Sequence, residues 1–331
     1  MRSSNLNMDA DARAKKRLLS FVNYALVFLT CTAAVGRDRD VVILGTATPG
    51  GGFPAYGSVF AEVVNRTEPT LDIQPRNTRG SEENVPLLEA GKLDIALVQG
   101  EVFHDAVSGI GRPPTNLKII AAMYSTPGMF AVRGDSPYRS FHDLVGKPVV
   151  FGARGSGLVV LARYVLDGIG LDPDRDFKAA YLDRTGDGPA IVIDGLAAAL
   201  WGGGIGWPGF EVLAKSPKGV RFITPDATEI DRILAKHPFL RRLTIPAKSY
   251  PGQNTLLTSV GSWSFVMARP TLPDDVAYRL ARALHRSEAL MGSRLPQARE
   301  TTAANTLAAA PRLDMVHPGV LRYFRETGLI R

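Results

Sequence analysis

Apolar and polar positions along this chain switch repeatedly between a strand period and a helix period. "VVILGTA" (Val41–Ala47) is a short apolar run of the kind a buried strand makes, and it ends in the small-residue loop "TPGGGF". "AYGSVFAEVVNR" then places Val59, Phe60, Val63 and Val64 at helical spacing. "TLDIQPRNT" alternates as a half-buried strand does. In "TRGSEENVPLLEAGKLDIALVQGE" (Thr78–Glu101), Ser81 suits a helix N-cap and Glu82 and Glu83 the first turn. Gly91 suits the residue just past the helix end. Pro86 predicts that this helix is short or begins late. "LDIALVQ" follows as a buried strand, and strand–helix–strand–helix–strand is the α/β signature.

The pattern restarts near Ser136. "SFHDLVGKPVVFG" reads as a short helix, a turn at Gly146-Lys147 and a strand, and "ARGSGLVVLARYVLDGIGL" as a Gly-Ser loop opening a helix. "AIVIDGLAAALWGGGIGWPGFEVLA" places a helix or strand before another glycine cluster. Beyond "TSVGSWSFVMAR" the chain reads as mostly helical, with "PDDVAYRLARALHRS" an amphipathic helix starting near Pro273-Asp274. Two α/β units with small-residue loops after their strands predict a crevice between two lobes, where ligands bind beyond the strands' carboxyl ends.

Composition limits the choices. A chain of 331 residues that is 45% hydrophobic can fill one large or two medium domains, and 33 glycines and 23 prolines fit a loop-rich globular protein. The net charge is +7, part of it in residues 1–34, where five basic residues face Asp9 and Asp11. No basic stripe or recognition motif points to nucleic acid, whereas a mildly positive body suits a small anionic ligand. Residues 1–34 read as a signal peptide: a basic start, an apolar run from Leu18 to Thr30 and small residues Thr32-Ala33-Ala34. An uncleaved anchor is the alternative. Cleavage after Ala34 would remove Cys31, the single cysteine, and with it any disulfide or thiol chemistry.

Catalytic patterns are not visible. The five histidines are scattered without metal-ligand spacing, so no metal or cofactor is expected. "RGSGL" is not a nucleophile elbow, because Gly155 and Gly157 flank Ser156 directly. No dinucleotide fingerprint and no P-loop is present. What remains is three small-residue loops leading into helices: "TPGGGF", "TRGSEEN" and "ARGSGL". Ordinary turn chemistry accounts for any one of them. Three in corresponding positions point to a ligand, since bare backbone, Ser hydroxyls and main-chain N–H groups can surround a carboxylate. Arg79 and Arg154 stand beside two of these loops, either as bidentate partners or as solvated surface arginines. Trp201 and Trp207 suit an apolar wall, and Trp201 equally suits core packing.

Residues 41–331 resemble the TAXI family, the solute-binding subunits of tripartite ATP-independent periplasmic (TRAP) transporters. The resemblance rests on Gly80-Ser81, Asn84, Leu87-Leu88, Gly91-Lys92-Leu93-Asp94 and Val98-Gln99. It also rests on Thr46, Pro49, Gly50 and Gly51, on "DLVGKPVVFGARGSG", on "ALWGGGIGWP" and on "YPGQN". It implies a type II periplasmic binding fold, with lobe 1 from residues 37–135 plus 248–331 and lobe 2 from 136–247. It further implies a monomeric, non-enzymatic receptor that hands a small organic anion to a TRAP membrane permease. Gly51, Gly52, Ser81, Asn84 and Gln99 would hold the ligand from lobe 1, and Arg154, Gly155, Ser156 and Gly157 from lobe 2. Arg79 would add charge, and Phe53 and Trp207 would shape the apolar part. Phe53-Pro54 stand where the family often has Tyr-Tyr, Leu158 where it often has Thr, and Glu101 where it usually has Asp. Those departures predict a less polar pocket and a more apolar or aromatic carboxylate than glutamate. Alternatives are a receptor of the same fold serving an ABC transporter or sensor kinase, and an enzyme on the two-lobe fold.

Overall fold

The computed structural model describes residues 39–331; the expected signal peptide, with Cys31, lies outside the described residues. Strand β1 (Asp40–Gly45) leads into helix α1 (Gly52–Thr67), β2 (Leu71–Arg76) into α2 (Ser81–Glu89), and β3 (Ile95–Val98) into α3 (Gly100–Ser108). The long β4 (Lys118–Arg133) then carries the chain to a second set: β5 (Pro148–Ala153), α4 (Gly157–Gly168), α5 (Pro173–Asp176), β6 (Lys178–Leu182), α6 (Gly188–Ile193), β7 (Ala199–Gly203) and α7 (Pro208–Ala214). β8 (Val220–Ile223), α8 (Ala227–Lys236) and β9 (Arg241–Ile245) complete it. β10 (Leu257–Ala268) returns to the first set, followed by helices that include α9 (Asp274–Arg286).

The two sets repeat one topology. In the first, β2, β1 and β3 run parallel in that spatial order, and β10 and then β4 continue the sheet antiparallel. In the second, β6, β5 and β7 are parallel and β4 is antiparallel beside β7, with β8 on its other side. β4 therefore serves both halves: Lys118–Pro127 pair with β10, and Gly128–Arg133 pair with β7 and β8. β10 does likewise, pairing with β9 through Leu257–Gly261 and with β4 and β3 beyond. The crossing point is Gly261 opposite Pro127. A Cβ on Gly261 would lie 1.9 Å from the Thr126 carbonyl oxygen, so only glycine lets the two strands meet there.

Side-chain alternation builds the cores. In β4, Phe130 and Val132 join Phe141 and Trp201 on one face of the second half, while Met129 and Ala131 join Trp207 and Phe210 on the other. The first half has its own core, where Leu44, Phe60, Leu88, Ile95 and Leu280 pack together. β2 is an edge strand, which is why Pro75 is tolerated in it. α2 differs from expectation in two respects. Its N-cap is Gly80, at φ +125°, and Ser81 is already helical; Pro86 sits inside a helix that runs on to Glu89. Pro86 has no N–H for the carbonyl one turn back, and burial of Val85 and Leu88 carries the helix through the missing bond. Among the described residues no helix is long and apolar enough to cross a membrane.

Candidate functional site

Four helices of eight or more residues begin at one place. α1 starts at Gly52, α2 at Ser81, α3 just after Gln99 and α4 at Gly157, and all four positions line one cavity. This follows from the topology, because each helix opens where a parallel strand ends. No side chain caps α1, α2 or α3, so their first N–H groups are not met by a local side chain. The positive ends of four helix dipoles converge on the same small space.

Two serine hydroxyls on the wall are already committed as acceptors. Ser81 Oγ accepts the Gln99 N–H at 3.0 Å, and Ser156 Oγ accepts the Leu158 N–H at 3.2 Å. Each serine therefore keeps its own O–H free to donate. Gln99 is 3% exposed and its Nε2, a donor, has no partner. Thr126, Thr185 and Tyr124 also line the cavity, and Phe53, Leu158 and Trp207 form its apolar side. Among the described lining residues none carries a charge. The cavity volume is about 40 Å³, room for roughly one to three water molecules.

The two halves touch around this space through backbone. The Glu82 N–H donates to the Gly155 carbonyl at 3.2 Å, and the Gly186 N–H to the Pro49 carbonyl at 3.3 Å. A Cβ on Gly80 would lie 2.9 Å from the Gly155 oxygen, and one on Gly50 2.4 Å from Gly186 Cα. The glycines of the sequence loops thus meet across the cleft, one from each half, in a closed arrangement.

Of the residues expected to hold a ligand, Gly51, Gly52, Phe53, Ser81, Gln99, Ser156, Gly157 and Trp207 lie together on the wall. Arg79, Asn84, Arg154 and Gly155 do not. The Arg79 side chain is 74% exposed beside Glu83. The Arg154 guanidinium is exposed and sits 5.7 Å from the centre of the Tyr181 ring. Asn84 is fully buried and ties the ends of two strands together: its Nδ2 donates to the Thr46 and Leu97 carbonyls, both at 2.8 Å. Gly155 serves as the backbone acceptor already described. Trp201 belongs to the core, with its indole N–H donating to the Leu158 carbonyl at 2.8 Å. Tyr124, Thr126 and Thr185 were not pointed to by the sequence patterns. "STPG" inside an apolar run, at Ser125–Gly128, is the one local signal that marks the crossing strand beside them.

Residues 44–328 match the NMT1-like family. The chain belongs to the NMT1-like family. Among solved structures this NMT1-like chain is similar to MatC from Rhodopseudomonas palustris with bound malate, at 13% identity and a TM-score of 0.57, over 86% of this chain and 97% of that one. A protein from Bordetella bronchiseptica RB50 matches at 13% identity and a TM-score of 0.55, over 88% and 99%. A putative L-cystine ABC transporter protein from Listeria monocytogenes matches at 13% and 0.51, over 80% and 98%. At such identities the likeness is one of fold. The NMT1-like chain has the two-lobe, type II periplasmic binding fold, and family and fold together support a solute-binding role.

Proposed function

We propose that this protein is a periplasmic solute receptor that closes its two lobes around a small organic anion, a carboxylate, and delivers it to a TRAP-type permease. The observation that carries this reading is the wall itself. Four helix N-termini and the free O–H groups of Ser81 and Ser156 face a space with no charged side chain on it. Such a wall offers donors and positive dipole ends, and a carboxylate is the common organic group that uses both. Gly51, Gly52, Ser81 and Gln99 would bind from lobe 1 and Ser156 and Gly157 from lobe 2, with Phe53 and Trp207 against the carbon chain. In this reading lobe 1 is residues 37–135 plus 248–331 and lobe 2 residues 136–247, except that the crossing strands β4 and β10 lend Gly128–Arg133 and Leu257–Gly261 to the strands of lobe 2.

The small volume favours a short-chain acid over an aromatic one, and MatC, which shares the fold, holds malate. Arg79 and Arg154 stand too far out to pair with the ligand in this closed form, so charge is answered by backbone dipoles. The fold also occurs in the putative L-cystine ABC transporter protein, so the permease type is a separate question, decided by the neighbouring genes. Mass spectrometry of the ligand retained through gentle purification, followed by thermal shifts with the identified compound and Ser81→Ala and Ser156→Ala variants, tests the proposal. A ligand that raises the melting temperature of both variants as much as that of the wild type would sink the site assignment.

A further inference from the structure

Glu101 is completely buried, and neither carboxyl oxygen has a hydrogen-bond partner. It stands in the first turn of α3, two residues after Gln99. No lysine, arginine or histidine pairs with it among the described residues. The groups facing it are Gln99 at the start of α3, Ser262 on β10, Asp105 one turn along α3 and Tyr164 on α4, whose hydroxyl bonds Asp105. Gln99 Nε2 and Ser262 Oγ are themselves unpartnered. A buried acid, a free amide on the cavity wall and a free hydroxyl thus form one connected group with no cation. Burial pushes the Glu101 carboxyl up to about 7; Ser262, its own backbone N–H and Gln99, which face it without completing a well-formed hydrogen bond, pull it back only in part.

We propose that Glu101 is a positioning residue for the cavity, which takes up a proton when an anion binds and so turns the Gln99 amide toward the ligand. This rests on the reading of the cavity as an anion site. An ionised Glu101 can only accept hydrogen bonds, and the Gln99 NH₂ group and the Ser262 hydroxyl are the donors that face it. A protonated Glu101 donates instead, to Gln99 Oε1 or Ser262 Oγ, and the Gln99 amide is then free to turn its Nε2, now enclosed on the Glu101 side, toward the cavity that Gln99 lines. A second negative charge nearby also disfavours the ionised acid. By linkage, whatever raises proton affinity on anion binding raises anion affinity on protonation.

The test uses the mature protein with acetate, lactate, malate and glutamate as probes, by calorimetric titration between pH 6 and pH 8.5 in two buffers of different ionisation heat. For the probe that binds, affinity is expected to fall as pH rises, by up to about tenfold per pH unit above the carboxyl's own midpoint. Uptake of about one proton per anion is expected at the alkaline end. Glu101→Gln, which carries a permanent donor in place of the acid, is expected to bind with a flat pH profile and no proton uptake. Ligand affinity independent of pH, or a sloping profile retained by Glu101→Gln, overturns the proposal and leaves the anion site standing. Failure of every probe to bind at any pH overturns the anion reading and this inference with it.

Discussion

Thr48 Oγ1 lies 3.0 Å from Thr185 Oγ1 and accepts the Thr185 N–H at 3.2 Å, and both residues are buried. One threonine follows β1 and the other follows β6, so the pair fastens the two halves beside the cavity. Thr185→Val keeps the shape and the backbone N–H and removes one hydroxyl bond. A neutral bond of this kind contributes about 1 kcal/mol, so the closed form should lose about fivefold in population and the ligand about fivefold in affinity. Titration with the cognate ligand, and the compaction seen by small-angle scattering, check this. Unchanged affinity and unchanged compaction would show that the pair has no part in closure.

Gly50 and Gly186 predict an asymmetry between two similar substitutions. Gly50 has φ +85°, and a Cβ there would sit 2.4 Å from Gly186 Cα, a backbone atom that cannot step aside. From Gly186 the nearest atom to an added Cβ is 3.2 Å away, and that residue's φ is not in the left-handed region. Gly50→Ala should hold the halves apart and cost at least tenfold in affinity, in addition to roughly 1 kcal/mol of backbone strain. Gly186→Ala should do markedly less. The ranking is read from ligand-induced melting shifts, and the reverse order would mean that the closed contact is not the one described.

Asn84 separates a structural role from a binding one. Its Nδ2 bonds two carbonyls in a fully buried place, at the strand ends that carry the site. Asn84→Ala removes both bonds; the Thr46 carbonyl keeps the Thr78 hydroxyl at 3.0 Å, so the cost is that of the lost Leu97 bond and a weakened Thr46 one, about 1–3 kcal/mol. Urea denaturation should show a loss in that range. A variant that kept full stability but lost ligand affinity would instead place Asn84 at the ligand.

Much of this was legible in the sequence, and the rest was hidden for definite reasons. Strand and helix periods gave the α/β alternation, because each element buries one side and its spacing records that. The small-residue loops could be seen as helix openings, and three of them do meet. The arginines misled because chain proximity to a loop says nothing about direction: Arg79 and Arg154 flank the glycines yet extend to solvent. Asn84 looked like a site residue because a buried amide that bonds carbonyls and one that bonds a ligand have the same sequence signature. Tyr124, Thr126 and Thr185 could not be found, since they reach the cavity only through the double use of β4 and the closure of the second half onto the first. Glu101 stood out only as an unusual residue after Val98-Gln99; its burial without a partner is a property of the packed α3–β10 contact.

The buried acids predict how stability changes with pH in the ligand-free protein. Burial raises Glu101 from 4.5 to about 7. Burial also raises Glu300, although the Ser125 N–H at 2.6 Å and the Ser125 hydroxyl pull it back. An acid whose folded value lies above its unfolded value binds protons more tightly when folded. Its contribution is fully present below the unfolded value, near 4.5, and is lost as pH rises toward 7. For Glu101 the loss is on the order of 3 kcal/mol. Glu68 and Glu89 are shifted down, since their hydrogen bonds and arginine partners outweigh burial, and they weaken the fold only at lower pH. Stability from urea unfolding should therefore decline between about pH 5 and pH 7.5 and then level off. Glu101→Gln should gain over the wild type as pH rises, with little difference near pH 5. If the two curves run parallel across that range, Glu101 is ordinary in its protonation, and the decline belongs to other groups.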